Sequence, residues 1–344
     1  MIAGRILAAA ALLCAWQGQS HAAGERIDVP IKQTVRDGVV RYSIPVIIGG
    51  KTLDAMIDTG STGLRVLGDG LPTSSYTPTT PAGEYSFANG EDLIGPLAVA
   101  TIGLGDETHT ASVQLGIVDG IYCIPDTPFC TLLDQQRRTG HTSDEMINAE
   151  VIGNGAFGGI AGISLPSPTL STGVPNPLLS FGKSWILILP LPGQSAPGHL
   201  IINPTDDETA GFVRFPAGTG SNTGSGRDNP LPGCLVDESN GEKVCGPVIF
   251  DTGTPGVMAI TDDSRAKDLW PDGRKGGLRF DAPDGAVVSA TFKALDALSL
   301  SRVFVGPYVE YKSPPPRVLA GVEPYLLFDV LYDYANRQVG LKAR

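Results

Sequence analysis

The chain has 344 residues, a length that accommodates two domains of ordinary size. Glycine (44) and proline (28) are frequent and only 18% of residues are charged, a composition that favours short strands and turns over long helices. The formal net charge of −11 argues against nucleic acid or an anionic membrane surface as a partner, because both are bound through basic patches.

The first 22 residues are typical of an export signal. Arg5 supplies the positive charge, an apolar run from Ile6 to Trp16 follows, and Ser20-His21-Ala22 has the small-x-small pattern of a cleavage site. The apolar run is shorter than a membrane-spanning helix. We therefore expect a mature chain that starts at Ala23, carries no membrane anchor, and is secreted or periplasmic.

Most of the remaining chain consists of short apolar runs bounded by Gly, Pro, Asn or Asp, which is the pattern of strands joined by turns. The predicted strands are Val39–Ile48, Thr52–Ile57, Leu97–Leu104, Ser112–Val118, Trp185–Leu191, His199–Asn203, Val248–Phe250, Val287–Phe292, Tyr325–Tyr332 and Gln338–Leu341. Short helices are predicted at Ser143–Val151 and Asp262–Leu269, each beginning at a capping residue. These elements indicate an all-β protein.

Four cysteines follow the export signal, and four cysteines allow three disulfide connectivities. Cys234 and Cys245 flank Asn240-Gly241, a hairpin turn signal, so they can face each other across paired strands. Cys123 and Cys130 enclose a short loop. We favour the pairings 123–130 and 234–245 over the two alternatives.

An internal repeat divides the chain into two halves. The segment Ala55–Ser61 recurs as Val248–Thr254, in each case three apolar residues, then Asp-Thr-Gly, then a hydroxyl residue. Each copy is followed by an apolar run that ends in glycine, at Gly159–Gly162 and at Val318–Gly321. A duplicated lobe that contributes one aspartate per copy explains this pattern. We place the N-terminal lobe at residues 23–183 and the C-terminal lobe at residues 184–344.

The two Asp-Thr-Gly turns predict a catalytic pair, Asp58 and Asp251. In each turn the glycine allows a tight bend whose N–H points at the carboxylate, the hydroxyl residue donates a second hydrogen bond, and the threonine reaches across to the opposite turn. These supporting residues are Thr59, Gly60, Ser61, Thr252, Gly253 and Thr254. Two carboxylates across a twofold axis share one proton, so one activates water and the other donates to a carbonyl. This chemistry hydrolyses a peptide bond without a metal or cofactor.

These motifs resemble those of the pepsin-like aspartic peptidases over nearly all of the mature chain. Asp58–Leu64 is similar to the family's first active-site motif, and Phe250–Thr254 is similar to the second. Gly159–Ser167 looks like the segment that closes the family's N-terminal lobe, and residues 319–341 resemble its C-terminal ending. The resemblance implies a secreted bacterial peptidase with two β lobes joined by a shared sheet and a cleft that takes a peptide or protein substrate. We expect a monomer.

The resemblance also implies a flap, a hairpin whose tyrosine closes over the substrate. Tyr85 fits this role best, because Gly95 lies ten residues on, before the strand Leu97–Leu104. The family usually has glycine after this tyrosine, where this chain has Ser86, and it often braces the tyrosine with tryptophan at the position of Arg65.

The resemblance further implies a basic propeptide of several tens of residues. The segment Ala23–Asp37 is shorter, and its three basic residues are balanced by three acidic ones. We therefore expect a protein that is active once exported and folded, without acid-triggered self-cleavage.

A noncatalytic peptide- or protein-binding protein on the same fold is the main alternative, and a bacterial surface or periplasmic assembly factor is a weaker one. Two intact Asp-Thr-Gly copies favour the enzyme, because a pure binder has no need of both carboxylates. Gly153–Gly158 spells G-x-G-x-x-G, but no βαβ pattern surrounds it. The mature chain's histidines (His109, His141, His199) lack metal-ligand spacing, and no serine has a nucleophile-elbow pattern.

Overall fold

The computed structural model describes residues 24–36, 39–80, 83–87, 90–123, 152, 157–166, 174–217, 230–263, 267–296, 301–307 and 317–344. Within these ranges the chain forms 24 strands and only two short α-helices. The predicted helix over 143–151 and Cys130 lie outside the described residues.

The strands of the first half are short and alternate with turns. They are β1 (Ile27–Arg36), β2 (Val39–Ile48), β3 (Lys51–Asp58), β4 (Thr62–Leu67), β5 (Thr77–Pro78), β6 (Gly83–Ser86), β7 (Glu91–Gly95), β8 (Leu97–Leu104), β9 (Thr110–Val118), β10 (Gly120–Cys123) and β11 (Gly159–Ile163). Two 3-10 turns accompany them, at Thr73–Ser75 and Pro177–Ser180.

The second half repeats this character. Its strands are β12 (Ser184–Ile188), β13 (Gly198–Ile202), β14 (Val213–Pro216), β15 (Leu231–Asp237), β16 (Lys243–Phe250), β17 (Gly256–Thr261), β18 (Asp268–Leu269), β19 (Lys275–Asp281), β20 (Val287–Lys293), β21 (Arg302–Pro307), β22 (Arg317–Gly321), β23 (Phe328–Asp333) and β24 (Gln338–Ala343). Its helices are α1 (Asp206–Thr209) and α2 (Glu323–Leu327).

Thirteen strands form one sheet that runs through both halves of the chain. Strand β1 lies near its middle. The first part of β1 pairs with β13, Ile27 opposite Ile202, and its second part pairs with β2, Lys32 opposite Ser43. An eight-stranded sheet completes the second lobe, and a three-stranded sheet of β6, β7 and β10 lies in the first. The prediction of an all-β, two-lobed protein with a shared sheet is confirmed.

The sequence repeat is also a repeat of strand pairing. In the first lobe β11 pairs parallel with β3 and antiparallel with β4. In the second lobe β22 pairs parallel with β16 and antiparallel with β17 in the same way. Since β3 and β16 each end at an Asp-Thr-Gly turn, this pairing holds the two turns in equivalent frames.

A continuous apolar core lies beneath these sheets and is dominated by large fully buried side chains, among them Trp185, Tyr42, Tyr325, Phe215 and Phe280. Burial of each such side chain stabilises the fold by roughly 1.5–3 kcal/mol. The core is shared between the lobes, because one continuous cluster of buried side chains includes Ile57 of the first half as well as Trp185 and Phe280 of the second.

Several local predictions need correction. No strand is predicted at Ile27–Arg36, Thr62–Leu67 or Lys275–Asp281, yet these segments are β1, β4 and β19. The strand predicted from Tyr325 begins only at Phe328, because helix α2, with Pro324 in its first turn, occupies Glu323–Leu327. Asp268–Leu269, predicted as the end of a helix, pairs instead with β21 as a short strand.

The disulfide Cys234–Cys245 is present, and its two cysteines are directly opposite each other in the β15–β16 ladder. The hairpin that Asn240-Gly241 predicted is what brings them together. The pairing 123–130 stays a prediction, since Cys130 is not among the described residues.

Candidate active site

The first Asp-Thr-Gly turn encloses the carboxylate of Asp58. Asp58 is the last residue of β3, and its side chain is buried at 5% exposure. The backbone N–H of Gly60 donates to Oδ1 at 2.9 Å, and the hydroxyl of Ser61 donates to Oδ2 at 2.5 Å. Each oxygen of the carboxylate therefore has its own donor, and its orientation is fixed.

The second turn reproduces this arrangement around Asp251, which directly follows β16. The N–H of Gly253 donates to Oδ1 at 2.8 Å, and the hydroxyl of Thr254 donates to Oδ2 at 2.6 Å. The N–H of Asp251 itself donates to the carbonyl of Gly321 at 3.0 Å, so the end of β22 holds the turn. The two aspartates thus have matching surroundings, as the repeat predicted.

The two carboxyl groups lie close enough for the charge of Asp251 to act on Asp58. Gly60 shows how closely the turns approach: a Cβ atom at this position would lie 2.7 Å from Cγ of Asp251. A side chain there would displace the carboxyl group of the opposite turn, so only glycine fits. The chain thus brings Asp58 and Asp251 together as a pair.

A reciprocal pair of threonines fastens the turns to each other. The N–H of Thr59 donates to Oγ1 of Thr252 at 3.1 Å, and the N–H of Thr252 donates to Oγ1 of Thr59 at 3.0 Å. Each hydroxyl then donates across the lobe boundary, Thr252 to the carbonyl of Ile57 at 2.7 Å and Thr59 to that of Phe250 at 3.4 Å. Both threonines are buried, so these four bonds fix one turn against the other.

Burial, and then the negative charge of Asp251, raise the pKa of Asp58 to about 7. The hydrogen bonds from Ser61 and Gly60 act in the opposite direction, since they favour the carboxylate. The first two effects dominate because the carboxyl group is enclosed and its neighbour carries a like charge. Below about pH 7 the pair therefore holds one proton between its two carboxyl groups, the state that acid–base chemistry between them requires.

Tyr85 lies on the hairpin of β6 and β7, where it is opposite Leu93. The guanidinium carbon of Arg65 is 3.3 Å from the centroid of its ring, and Phe87 contacts the ring edge at 4.9 Å. Arg65 is 2% exposed and donates to the carbonyl of Thr62 at 2.9 Å. Arg65 thus braces the tyrosine from the position at which the resembled family often has tryptophan. A small cavity of about 80 Å³ adjoins this contact.

One residue near the pair was not singled out in the sequence. Arg41 of β2 is half-buried, and the carboxylates of Asp251, Asp58 and Glu91 attract its charge. In the sequence, Arg41 is a charged residue between two apolar ones, Val40 and Tyr42, which are buried. This pattern is equally typical of a residue on the exposed face of a strand.

Two negative findings concern the described residues alone. No cluster of three metal-ligating side chains is found among them. The described residues also contain no helix that is long and apolar enough to cross a membrane.

No protein-family model matches the chain, and no curated protein matches it in sequence. Among solved structures, the aspartic proteinase from Irpex lacteus is similar, with a TM-score of 0.57 over 93% of this chain and 97% of that chain. The two sequences are 16% identical. This likeness shows a bilobal pepsin-like fold for the chain.

Proposed function

We propose that this protein is an aspartic endopeptidase, secreted or periplasmic, in which Asp58 and Asp251 activate water for attack on a peptide bond. The observation that carries the proposal is the matched pair of turns. The carboxyl groups of Asp58 and Asp251 each accept one N–H and one hydroxyl hydrogen bond. They lie on opposite sides of the boundary between the lobes, which the hydrogen bonds of Thr59 and Thr252 hold together. A fold needs no such pair for its stability, because adjacent carboxylates repel each other.

The reaction follows from the single shared proton. The ionised carboxylate removes a proton from a water molecule, and the water oxygen attacks the carbonyl carbon of the substrate. The protonated partner donates its proton to the carbonyl oxygen, giving a tetrahedral diol. The carboxyl group that took the proton from water then gives it to the amide nitrogen, and the other carboxylate accepts a proton from one hydroxyl of the diol as the C–N bond breaks. The pair thus again holds a single proton.

The Cys234–Cys245 disulfide supports the localisation, since disulfides persist in oxidising compartments. The contact between Arg65 and Tyr85 supports the assignment of Tyr85 as the flap residue, because it gives the tyrosine a fixed position on its hairpin.

The test is hydrolysis of an unbiased peptide mixture between pH 3 and 8, with and without pepstatin, by the wild type and by Asp58→Asn and Asp251→Asn. An amide can neither ionise nor carry the shared proton, so each variant should lose at least about 100-fold in kcat while keeping its fold. The double variant should be little worse than either single one, because the residues act as a unit. Near-wild-type activity in either variant would refute the assignment. Tight peptide binding without any hydrolysis would favour the noncatalytic alternative.

A further inference from the structure

Arg41 is a cation in the first lobe that the catalytic chemistry does not use. Its Nη1 atom is buried and has no hydrogen-bond partner, and no ion pair joins the guanidinium to the described part of the chain. Taking a cation out of water is costly unless it is paired and hydrogen-bonded. The position of this side chain therefore needs an explanation beyond folding.

The strand register shows where the side chain points. In the β2–β3 ladder Ser43 is opposite Met56, and Arg41 and Asp58 each lie two residues beyond this last pair, where the side-chain alternation returns to the same face. Side chains that are level in an antiparallel pair project from the same face of the sheet. Arg41 therefore projects on the face that carries the catalytic carboxylate. The attraction of its charge to Asp251 and Asp58 agrees with this placement, and Glu91 of strand β7 also attracts it.

A neighbouring arginine shows what a structural arginine does in this molecule. The guanidinium of Arg65 donates to the carbonyls of Thr62 and Gly63 and covers the ring of Tyr85. Arg41 has no such contacts among the described residues, and the residue is only half-buried. Part of its side chain is thus accessible to an acceptor that a substrate brings.

We propose that Arg41 binds a carboxylate of the substrate, so that the enzyme prefers peptides with aspartate or glutamate close to the scissile bond. This inference rests on the proposed peptidase function. A guanidinium group presents a planar fork of N–H donors that fits a carboxylate. The chain carries a net charge of −11 and repels acidic peptides overall, so a local cation is needed to accept one near the catalytic pair.

The test uses peptides built on one cleaved sequence, with glutamate or glutamine at each of the four positions on either side of the bond. Each peptide is made with a free and with an amidated C-terminus, which separates an acidic side chain from a terminal carboxylate. In the wild type the ratio of kcat/KM for Glu over Gln should be at least about 10 at one position, whether or not the C-terminus is amidated. In Arg41→Gln this ratio should fall to about 1. In Arg41→Glu the same position should prefer lysine over glutamine.

The ratio is the decisive readout because loss of the Arg41 charge also changes the field at the catalytic pair. That change alters the cleavage of both peptides equally and cancels in the ratio. Arg41→Lys keeps the charge without the fork and should retain part of the preference, which covers the case in which Arg41→Gln does not fold. Arg279→Gln is the matched control, since Arg279 is exposed and paired with Asp281; its ratio should equal that of the wild type.

Three outcomes would overturn the proposal: no glutamate preference at any position, an equal loss for both peptides in Arg41→Gln, or a preference that disappears on amidation. Failure of the proposed peptidase function is detected separately. If the wild type cleaves nothing, calorimetric binding of the Glu and Gln peptides to Asp251→Asn, with and without Arg41→Gln, still tests the site. Equal affinities there would refute it, and tighter binding of the Glu peptide that depends on Arg41 would support it.

Discussion

The threonine contact between the lobes can be tested by replacing Thr252 with valine, which has nearly the same shape but no hydroxyl. Thr252 is 2% exposed, and its Oγ1 accepts from the N–H of Thr59 at 3.1 Å and donates to the carbonyl of Ile57 at 2.7 Å. The substitution leaves both of these groups without their partner. A buried unsatisfied group costs about 1–3 kcal/mol, so the free energy of unfolding should fall by about 2–5 kcal/mol.

The measurement is urea unfolding followed by the fluorescence of tryptophan, since Trp185 is fully buried in the shared sheet. Activity should fall together with stability, because Asp251 directly precedes Thr252 and a small displacement of either carboxyl group disturbs the pair. We expect the loss mainly in kcat, with KM changed less.

Two variants serve as controls. Thr252→Ser keeps the hydroxyl and should stay within about 1 kcal/mol of the wild type. Thr291→Val removes an exposed hydroxyl and should change the unfolding free energy by at most about 0.5 kcal/mol. If Thr252→Val were as stable as the wild type, or Thr252→Ser as damaged as Thr252→Val, the hydrogen bonds across the lobe boundary would not be what fastens the turns.

Three further predictions concern pH, the flap and the disulfide. Because the pKa of Asp58 is raised to about 7 in the folded protein, the native state keeps a proton that the unfolded state releases above about pH 4. The free energy of unfolding should therefore fall as pH rises from about 4 to 7, by on the order of 1 kcal/mol per pH unit. Asp58→Asn should flatten this slope in urea titrations, and the activity of the wild type should decline as pH rises through about 7. Arg65→Leu should destabilise by about 1–3 kcal/mol in urea and raise KM more than Thr291→Val does, because it frees Tyr85 and leaves a buried carbonyl unpaired; an unchanged KM would argue against a flap role. Replacing Cys234 and Cys245 by serine should cost about 3 kcal/mol, since the bridge closes a loop of 11 residues; equal unfolding midpoints with and without the bridge would contradict this.

The fold class and the aspartate pair could be predicted because each depends on local sequence. Strands such as Val39–Ile48 and Leu97–Leu104 begin and end where their apolar runs do. The two Asp-Thr-Gly turns carry their own donors, so the surroundings of Asp58 and Asp251 are encoded within three residues of each. Only their approach to each other depends on the rest of the chain.

The missed elements depend on distant partners or on an overlooked local signal. The apolar residues Ile27, Val29 and Ile31 alternate with polar or exposed ones, a strand signal, but half of the pairing of β1 comes from β13 in the other lobe. Pro324 is a residue typical of the first turn of a helix, but the apolar residues around it also fit a strand, which is what is predicted. The face on which Arg41 projects and the contact of Arg65 with Tyr85 could not be predicted, because both depend on which strands lie side by side.

The place of β1 in the central sheet also sets the order in which the molecule can be assembled. Ile27 and its partner Ile202 are far apart along the chain, so Ile27 is synthesised well before Ile202. Until then the part of β1 that will meet β13 is an unpaired strand edge, open to wrong partners. Pairing over so long a stretch of sequence slows folding. The first lobe should therefore not complete its fold alone, and the two lobes should gain their stability together.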